Sequence, residues 1–185
     1  MRVAGLPTAA AILDALARPR VAAMNDGRVE PGPVMDAILA LHRSNREQWD
    51  REDDARRRGA EDAVVAAAKR DIDRMNSARH QLIEAIDGAV LDAISPRPGT
   101  PLVTESPGMA IDRLSVLVIR LAATEARARS DADDADRYRR RLPRLRIQVD
   151  SLEEAIATLL EDLAGGTRRF VAYESLKLYG REGSD

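Results

Sequence analysis

Apolar residues recur at intervals of three or four residues along most of this chain, and this spacing restricts its fold more than any other feature. In the last long segment the intervals alternate between four and three residues, through Tyr138, Leu142, Leu145, Val149, Leu152, Ile156, Leu159 and Leu163. This is the period of an α-helix. No segment alternates convincingly between apolar and polar residues, and the aromatic residues that strands favour make up only 3% of the chain. The pattern predicts an all-α protein.

Turn-forming and capping residues divide the chain into one short helix and four long ones. The predicted segments run, approximately, over Thr8–Arg18, Pro33–Arg58, Glu61–Ile94, Ser106–Ser130 and Asp131–Gly165. Ser106 and Pro107 suit a helix cap and first turn, and Pro143 should kink the last helix or split it in two. We expect a single domain over residues 1–185, an antiparallel four-helix-type bundle with short N- and C-terminal extra helices.

Composition and charge exclude several classes of function. Without cysteine the chain has no disulfide framework, no thiolate zinc site and no cysteine nucleophile. Its 29 Lys and Arg nearly balance 31 Asp and Glu, for a net charge of −2, so we expect neither nucleic acid nor a membrane as partner. The short first apolar stretch does not resemble a signal peptide, and no long uncharged run follows, so we expect a cytoplasmic protein.

Polar residues continue the apolar stripe of the first long helix. Val34, Ile38 and Leu41 define a face that should meet the core. At about 100° per residue, the same face continues into polar positions. These positions and their close flanks are His42, Asn45, Trp49, Glu52, Asp53 and Arg56. The stripe becomes polar without leaving the side of the helix that faces the bundle, whereas a surface helix would place its charges on the opposite side.

The next two long helices show the same conflict between face and polarity. Asn76 and Arg79 fall within the apolar sector of the second helix, with Lys69 at its edge and Asp73 on its flank. The third helix is apolar around its whole circumference, so its Asp112 and Arg113 should be difficult to keep in water. These groups predict a polar cavity between helices. An internal salt-bridge network that fixes the helix register is the structural alternative.

A run of arginines follows the third long helix. Its members are Arg137, Arg139, Arg140, Arg141, Arg144 and Arg146. The sequence predicts that they form a solvated face, and phosphate binding is the functional alternative.

Several strings of residues match a known pattern. They are Leu41-His42-x-x-Asn45-x-x-x-Trp49-x-x-Glu52-Asp53-x-Ala55-Arg56, Lys69-Arg70-x-Ile72-Asp73-x-x-Asn76-x-x-Arg79, Ser106-Pro107-Gly108 and Ile111-Asp112-Arg113-Leu114-Ser115. Together with Tyr173, Lys177 and Tyr179, they resemble a bacterial family catalogued as domain of unknown function 4254, over about residues 34–179. The tail departs from the family at Ser175 and Leu176, where Gln and Phe are expected. The resemblance implies an all-helical fold. The sequence is also similar to an actinobacterial branch that includes a dehydratase-like enzyme of the angustmycin nucleoside pathway. This similarity implies a role in antibiotic biosynthesis.

Carboxylates, a histidine and amides in one partly dry pocket are the groups that general acid–base catalysis needs. We expect a cofactor-free lyase, a dehydratase that eliminates water from a nucleoside or sugar. Glu52 or Asp53 would be the base and His42 the acid, or the reverse, and Trp49 would cover a base or sugar ring. The remaining substrate-binding candidates are Asn45, Arg56, Lys69, Asp73, Asn76, Arg79, Asp112, Arg113, Tyr173 and Lys177.

Two other functions remain open from the sequence. Carboxylates on two helices also suit Mg²⁺ in a hydrolase of a nucleotide or nucleotide-sugar, with Lys69 and Arg79 on phosphate. Alternatively, the protein is a non-catalytic helical scaffold in glycan biosynthesis. A homo-oligomer is expected because the Ala-rich and tail surfaces would pack readily.

Overall fold

The computed structural model describes residues 6–18, 32–55, 62–172 and 174, with the side chains of residues 54–55, 62–70 and 72–73 left out. It contains six helices: α1 (Ala9–Ala17), α2 (Pro33–Ala55), α3 (Asp62–Ala93), α4 (Pro107–Arg129), α5 (Ala135–Arg139) and α6 (Leu142–Gly165). Within these ranges the only strand-like contact is an isolated bridge between Leu102 and Arg169. The prediction of an all-α bundle is confirmed. No described helix has both the length and the hydropathy to span a membrane.

The predicted helix boundaries have local causes. The Ser106 hydroxyl accepts a hydrogen bond from the Met109 N–H at 3.3 Å, and Pro107 occupies the first turn of α4, as expected. Pro143 lies at the start of α6, and the last long segment is split, as predicted, into α5 and α6. Gly166 ends α6 in the left-handed conformation, at φ 65°, which glycine adopts without strain.

Helix α4 is the central helix of the bundle. It packs against α2, α3, α5 and α6, and α1 adds contacts to α2, α4 and α6. Two ion pairs show where the neighbouring helices meet α4. Arg79 of α3 pairs with Asp112 near the start of α4, and Arg146 of α6 pairs with Glu125 near the other end. The most deeply buried side chains of the core are at most 1% exposed, and they include Leu16, Ile38, Leu41, Ile86, Ile111, Leu114, Ile156 and Leu163.

One predicted feature of α4 is wrong, because this helix is not buried on every side. Asp112 is only 6% exposed, but the neighbouring Arg113 side chain is 60% exposed and forms an ion pair with Glu105 at 3.1 Å. Arg120 and Ala123 are also exposed. Helices α2 and α3 cover one side of α4 and α6 covers another, and an open strip lies between them.

Candidate functional site

A buried network of polar side chains joins α2 to α4. The amide nitrogen of Asn45 donates to Asp112 Oδ1 and to Ser115 Oγ, both at 3.0 Å. Asn45 and Asp112 are buried, and Ser115 is fully buried. Buried polar groups are normally hydrogen-bonded, and here each partner comes from the facing helix. The inward polar face of α2 therefore fixes the register of α2 against α4.

Arg79 of α3 extends the network to a third helix. Its Nε donates to Asp112 Oδ1 at 2.7 Å, and a terminal nitrogen donates to Asp112 Oδ2, so the pair is bidentate. The hydrogen bonds and charge of Asp112 raise the pKa of Arg79 above its usual value against the effect of burial, and Glu52 acts in the same direction. Arg79 is therefore ionised at neutral pH, and its charge compensates the buried Asp112 side chain.

Gln48 connects the network to Glu52. Its amide nitrogen donates to Asn76 Oδ1 of α3 at 3.0 Å and to Glu52 Oε1 at 3.3 Å. Its amide oxygen is buried without a hydrogen-bond partner among the residues that the structure describes. These bonds hold Glu52 at the end of the network nearest Trp49.

His42 lies at the opposite end of the network. Its Nδ1 is 2.9 Å from Ser115 Oγ, and within the described part of the chain Nε2 is buried without a hydrogen bond of good geometry. Burial lowers the pKa of His42 from 6.5 to about 4, the charge of Arg46 acts in the same direction, and the Leu16 carbonyl opposes them. The imidazole is therefore neutral at pH 7.

A cavity of about 820 Å³ opens beside the Glu52 end of the network. We call it the arginine cavity; its lining is Trp49 and Asp53 of α2, Arg120, Ala123, Thr124 and Arg127 of α4, Tyr138 of α5, and Arg140, Arg141, Arg144, Leu145 and Gln148. Both α2 and α6 contribute residues to this lining. The arginine cavity occupies the space between them. Its volume is in the range of small-molecule sites.

Two smaller cavities continue from the arginine cavity along α4. The first, of about 620 Å³, shares Arg120 and Gln148 with it and also contains Arg79 and Arg113. The second, of about 300 Å³, shares those last two arginines and contains Asp112. The three cavities form a continuous trough beside the network.

The network and the trough lie within a region that matches a known family. The family model described as "Protein of unknown function (DUF4254)" matches residues 35–172, which is well over half of the chain. The chain belongs to the DUF4254 family. No curated protein and no solved structure was found to match it. The matched range begins in α2 and ends after α6, so it includes every described residue of the network and of the arginine cavity.

The structure brings most of the described candidate residues of this DUF4254 protein into two adjoining groups. The network holds His42, Asn45, Glu52, Asn76, Arg79 and Asp112, and the arginine cavity holds Trp49 and Asp53. Arg113 points outward to Glu105 instead. Arg56, Tyr173 and Lys177 lie outside the described residues, as do the side chains of Lys69 and Asp73 and most of the expected C-terminal helix.

The structure does not bring His42 together with the carboxylates that were expected to share its substrate. On α2, His42 precedes Glu52 by nearly three turns, which is roughly 15 Å along the helix axis. An acid and a base that act on neighbouring carbon atoms must both lie within hydrogen-bonding reach of the reacting groups. None of the three cavities described above is lined by His42.

Several residues of both groups were not among the sequence candidates. Gln48 and Ser115 each lie three residues after a candidate, Asn45 and Asp112, so helical spacing alone indicates them. Tyr138, Arg120 and Arg127 gave no such signal, because only the packing of α4 and α5 brings them to the cavity, whereas Arg140, Arg141 and Arg144 belong to the run for which phosphate binding was the functional alternative.

The described side chains include no group of three or more His, Asp or Glu that could hold a metal ion. Glu52 and Asp53 are adjacent carboxylates on α2 and are the described residues that could best contribute to a metal site. Glu52 already accepts a hydrogen bond from Gln48. Because Asp73 is outside the described side chains, the Mg²⁺ alternative stays a prediction.

Proposed function

We propose that this protein is a cofactor-free acid–base enzyme of the hydro-lyase type, which eliminates water from a nucleoside or sugar in the arginine cavity. One observation carries the proposal. Trp49 and Asp53, one turn apart on α2, both line this cavity, while the preceding turns of the same helix face are locked in the buried network. A planar ring and a carboxylate are thus held on a rigid element beside a cavity of substrate size.

Asp53 is the proposed base and Tyr138 the proposed acid, because both side chains line the arginine cavity. Asp53 takes a proton from a carbon, and the electron pair of that C–H bond becomes the second bond to the adjacent carbon. The C–O bond breaks there, and the leaving hydroxide takes the Tyr138 proton and departs as water. Solvent then carries the proton from Asp53 back to the phenolate, which restores both groups.

His42 and Glu52 take positioning roles in this proposal. A neutral imidazole with a pKa of about 4 is a poor general acid at pH 7, and it lies far along α2 from the cavity. His42 instead fixes Ser115, which in turn accepts from Asn45. Glu52 joins Gln48 in the turn beside Trp49. The similarity to the branch with a nucleoside dehydratase further supports a substrate of this class.

The test compares Asp53→Asn and Tyr138→Phe with the unchanged protein, using a panel of nucleosides and sugars and mass detection of the loss of one water. Each change should lower turnover by about 10²–10⁴-fold, the usual contribution of one acid or base. Glu47→Gln is the matched control because Glu47 is exposed on α2 and does not line the cavity. Asp53→Asn with unchanged turnover would overturn the assignment of the base.

Chelation separates this proposal from the magnesium hydrolase. Turnover should persist after complete removal of divalent cations with EDTA, and phosphate release that stops on chelation would favour the hydrolase instead. A protein that neither turns over nor binds any member of the panel would support the scaffold hypothesis.

A further inference from the structure

The arginines of the cavity have few partners of opposite charge. Among the described residues, Arg120, Arg140, Arg141 and Arg144 form no ion pair, and Arg127 is paired with Asp134 at 2.9 Å. In the same run, Arg139 and Arg146 lie outside the cavity and are paired with Asp136 and Glu125. Four of the five arginines that line the cavity thus have no ion-pair partner among the described residues, and Arg137, outside the cavity, has none either.

These cations converge from two sides. Arg120 and Arg127 are two turns apart on α4, while Arg141 caps α6 and Arg144 lies in its first turn. Like charges that face one cavity repel each other, and a bound anion removes that repulsion. The chain as a whole carries a net charge of −2, so this positive potential is local to the cavity.

Other lining residues give a part of the wall a different chemistry. Trp49 supplies an aromatic face, Tyr138 a second ring and Leu145 an apolar side chain. A planar base or a sugar ring packs on such surfaces, whereas guanidinium groups bind phosphate in a bidentate geometry. The two parts of the wall together fit a ligand that has a ring at one end and a phosphate at the other.

We propose that the arginine cavity takes a phosphorylated substrate, a nucleotide or a sugar phosphate, with its phosphate on Arg120, Arg141 and Arg144 and its ring on Trp49. This inference rests on the proposed function in that it assigns the substrate class of the same site. A nucleic acid is the weaker candidate, because the chain is acidic overall and Asp53 forms part of the cavity wall.

Trp49 gives a site-specific readout because it is the only tryptophan in the chain. Its fluorescence should change on titration with adenosine monophosphate and with ribose 5-phosphate. Adenosine, ribose and inorganic phosphate are the matched probes that separate the ring from the phosphate. We expect adenosine monophosphate to bind at least about tenfold more tightly than adenosine, since charge-assisted hydrogen bonds are worth that much. Added salt should weaken the binding of adenosine monophosphate and leave the binding of adenosine unchanged.

The double variant Arg141→Gln/Arg144→Gln should bind adenosine monophosphate about tenfold or more weakly than the unchanged protein, and it should bind adenosine with unchanged affinity. Arg137→Gln is the matched control because Arg137 is exposed in the same run but does not line the cavity. It should bind as the unchanged protein does. Circular dichroism and thermal unfolding establish that each variant is folded.

Equal affinity for adenosine and adenosine monophosphate would overturn the inference, as would equal losses in the Arg137 variant and in the double variant. Binding of a single-stranded oligonucleotide more tightly than adenosine monophosphate would also overturn it, in favour of nucleic acid. Binding needs no turnover, so the two proposals fail separately. If adenosine monophosphate binds as expected while no substrate is dehydrated, the function fails and the inference stands. If the double variant dehydrates neutral nucleosides at the normal rate, the proposed function stands and the inference about phosphate fails.

Discussion

The two ends of the polar face on α2 have opposite relations to solvent, although their residue types are similar. His42 is 6% exposed and its ring is held by Ser115, whereas Asp53 is exposed in the wall of a cavity. Burial removes the charge from the imidazole, whereas the Asp53 side chain can be reached from the cavity. The position of a titratable residue along α2 therefore decides whether it supports the fold or can meet a ligand.

The lowered pKa of His42 predicts how stability depends on pH. The unfolded chain binds a proton at His42 below pH 6.5, but the folded protein does so only below about pH 4. The contribution of His42 to the free energy of unfolding is therefore complete above pH 6.5. It is lost as the pH falls from 6.5 to about 4, and the loss is at most about 3 kcal/mol. Urea unfolding across this range should show the loss, and His42→Gln should reduce the slope.

The second histidine of the chain provides the control for this measurement. His80 is half-buried in the wall of the smallest cavity of the trough. His80→Gln should keep the full pH dependence. A slope that survives in the His42 variant and disappears in the His80 variant would contradict the assignment.

Gly108 is required by the close approach of α3 and α4. Its N–H donates to the buried carboxylate of Asp87 at 2.7 Å, and a Cβ at this position would lie 2.5 Å from the Ile83 carbonyl oxygen. Gly108→Ala should therefore destabilise the protein by about 1–3 kcal/mol, since the backbone must move. Gly88→Ala in α3 is the opposite case, because its Cβ would meet nothing within 4 Å. It should stabilise by about 0.5–1 kcal/mol in the same unfolding assay. Equal effects of the two changes would contradict this explanation.

At the scale of elements, the Arg79–Asp112 pair fastens α3 to α4. Arg79→Leu leaves a buried carboxylate whose one remaining side-chain partner among the described residues is Asn45, and it should cost about 3 kcal/mol. The double variant Arg79→Leu/Asp112→Leu should cost less than the sum of the two single changes, because no buried charge is left alone. Arg113→Leu is the control: its pair with Glu105 is exposed, so the loss should be below about 1 kcal/mol. Additive costs in the double variant would show that the two residues are not coupled.

Helix spacing anticipates much of this arrangement and fails at identifiable points. The apolar stripe of α2 that becomes polar indicates Asn45 as an inward residue, and the caps at Ser106 and Pro107 give the start of α4. Arg113 was expected to be sheltered because its helix is apolar around most of its circumference, but Arg113 differs from the buried Asp112 by about 100° in direction and is exposed. The arginine cavity depends on a gap between α2 and α6, and such a gap is a property of packing that no periodicity within one helix encodes.

For the whole molecule, the location of charge matters more than its sum. The chain has a net charge of −2, yet uncompensated cations face one cavity between α2, α4 and α6. A protein that keeps such a group of cations close together loses stability while no anion is bound, as binding sites commonly do. The cavity lies within residues 35–172, which the family model matches. This loss of stability therefore belongs to the folded domain and not to a separate tail.

This trade-off gives a prediction whose sign distinguishes local from global charge. If net charge decided stability, Arg144→Gln would weaken the protein slightly, because it makes an acidic chain more acidic. Relief of repulsion within the arginine cavity predicts the opposite, a gain of a few tenths of a kcal/mol at low salt. Arg137→Gln makes the same change in net charge outside the cavity and should show no gain. Chemical unfolding at low and high salt measures both variants. The gain should shrink as salt screens the remaining arginines, and a gain of equal size in both variants would assign it to the surface instead of the cavity.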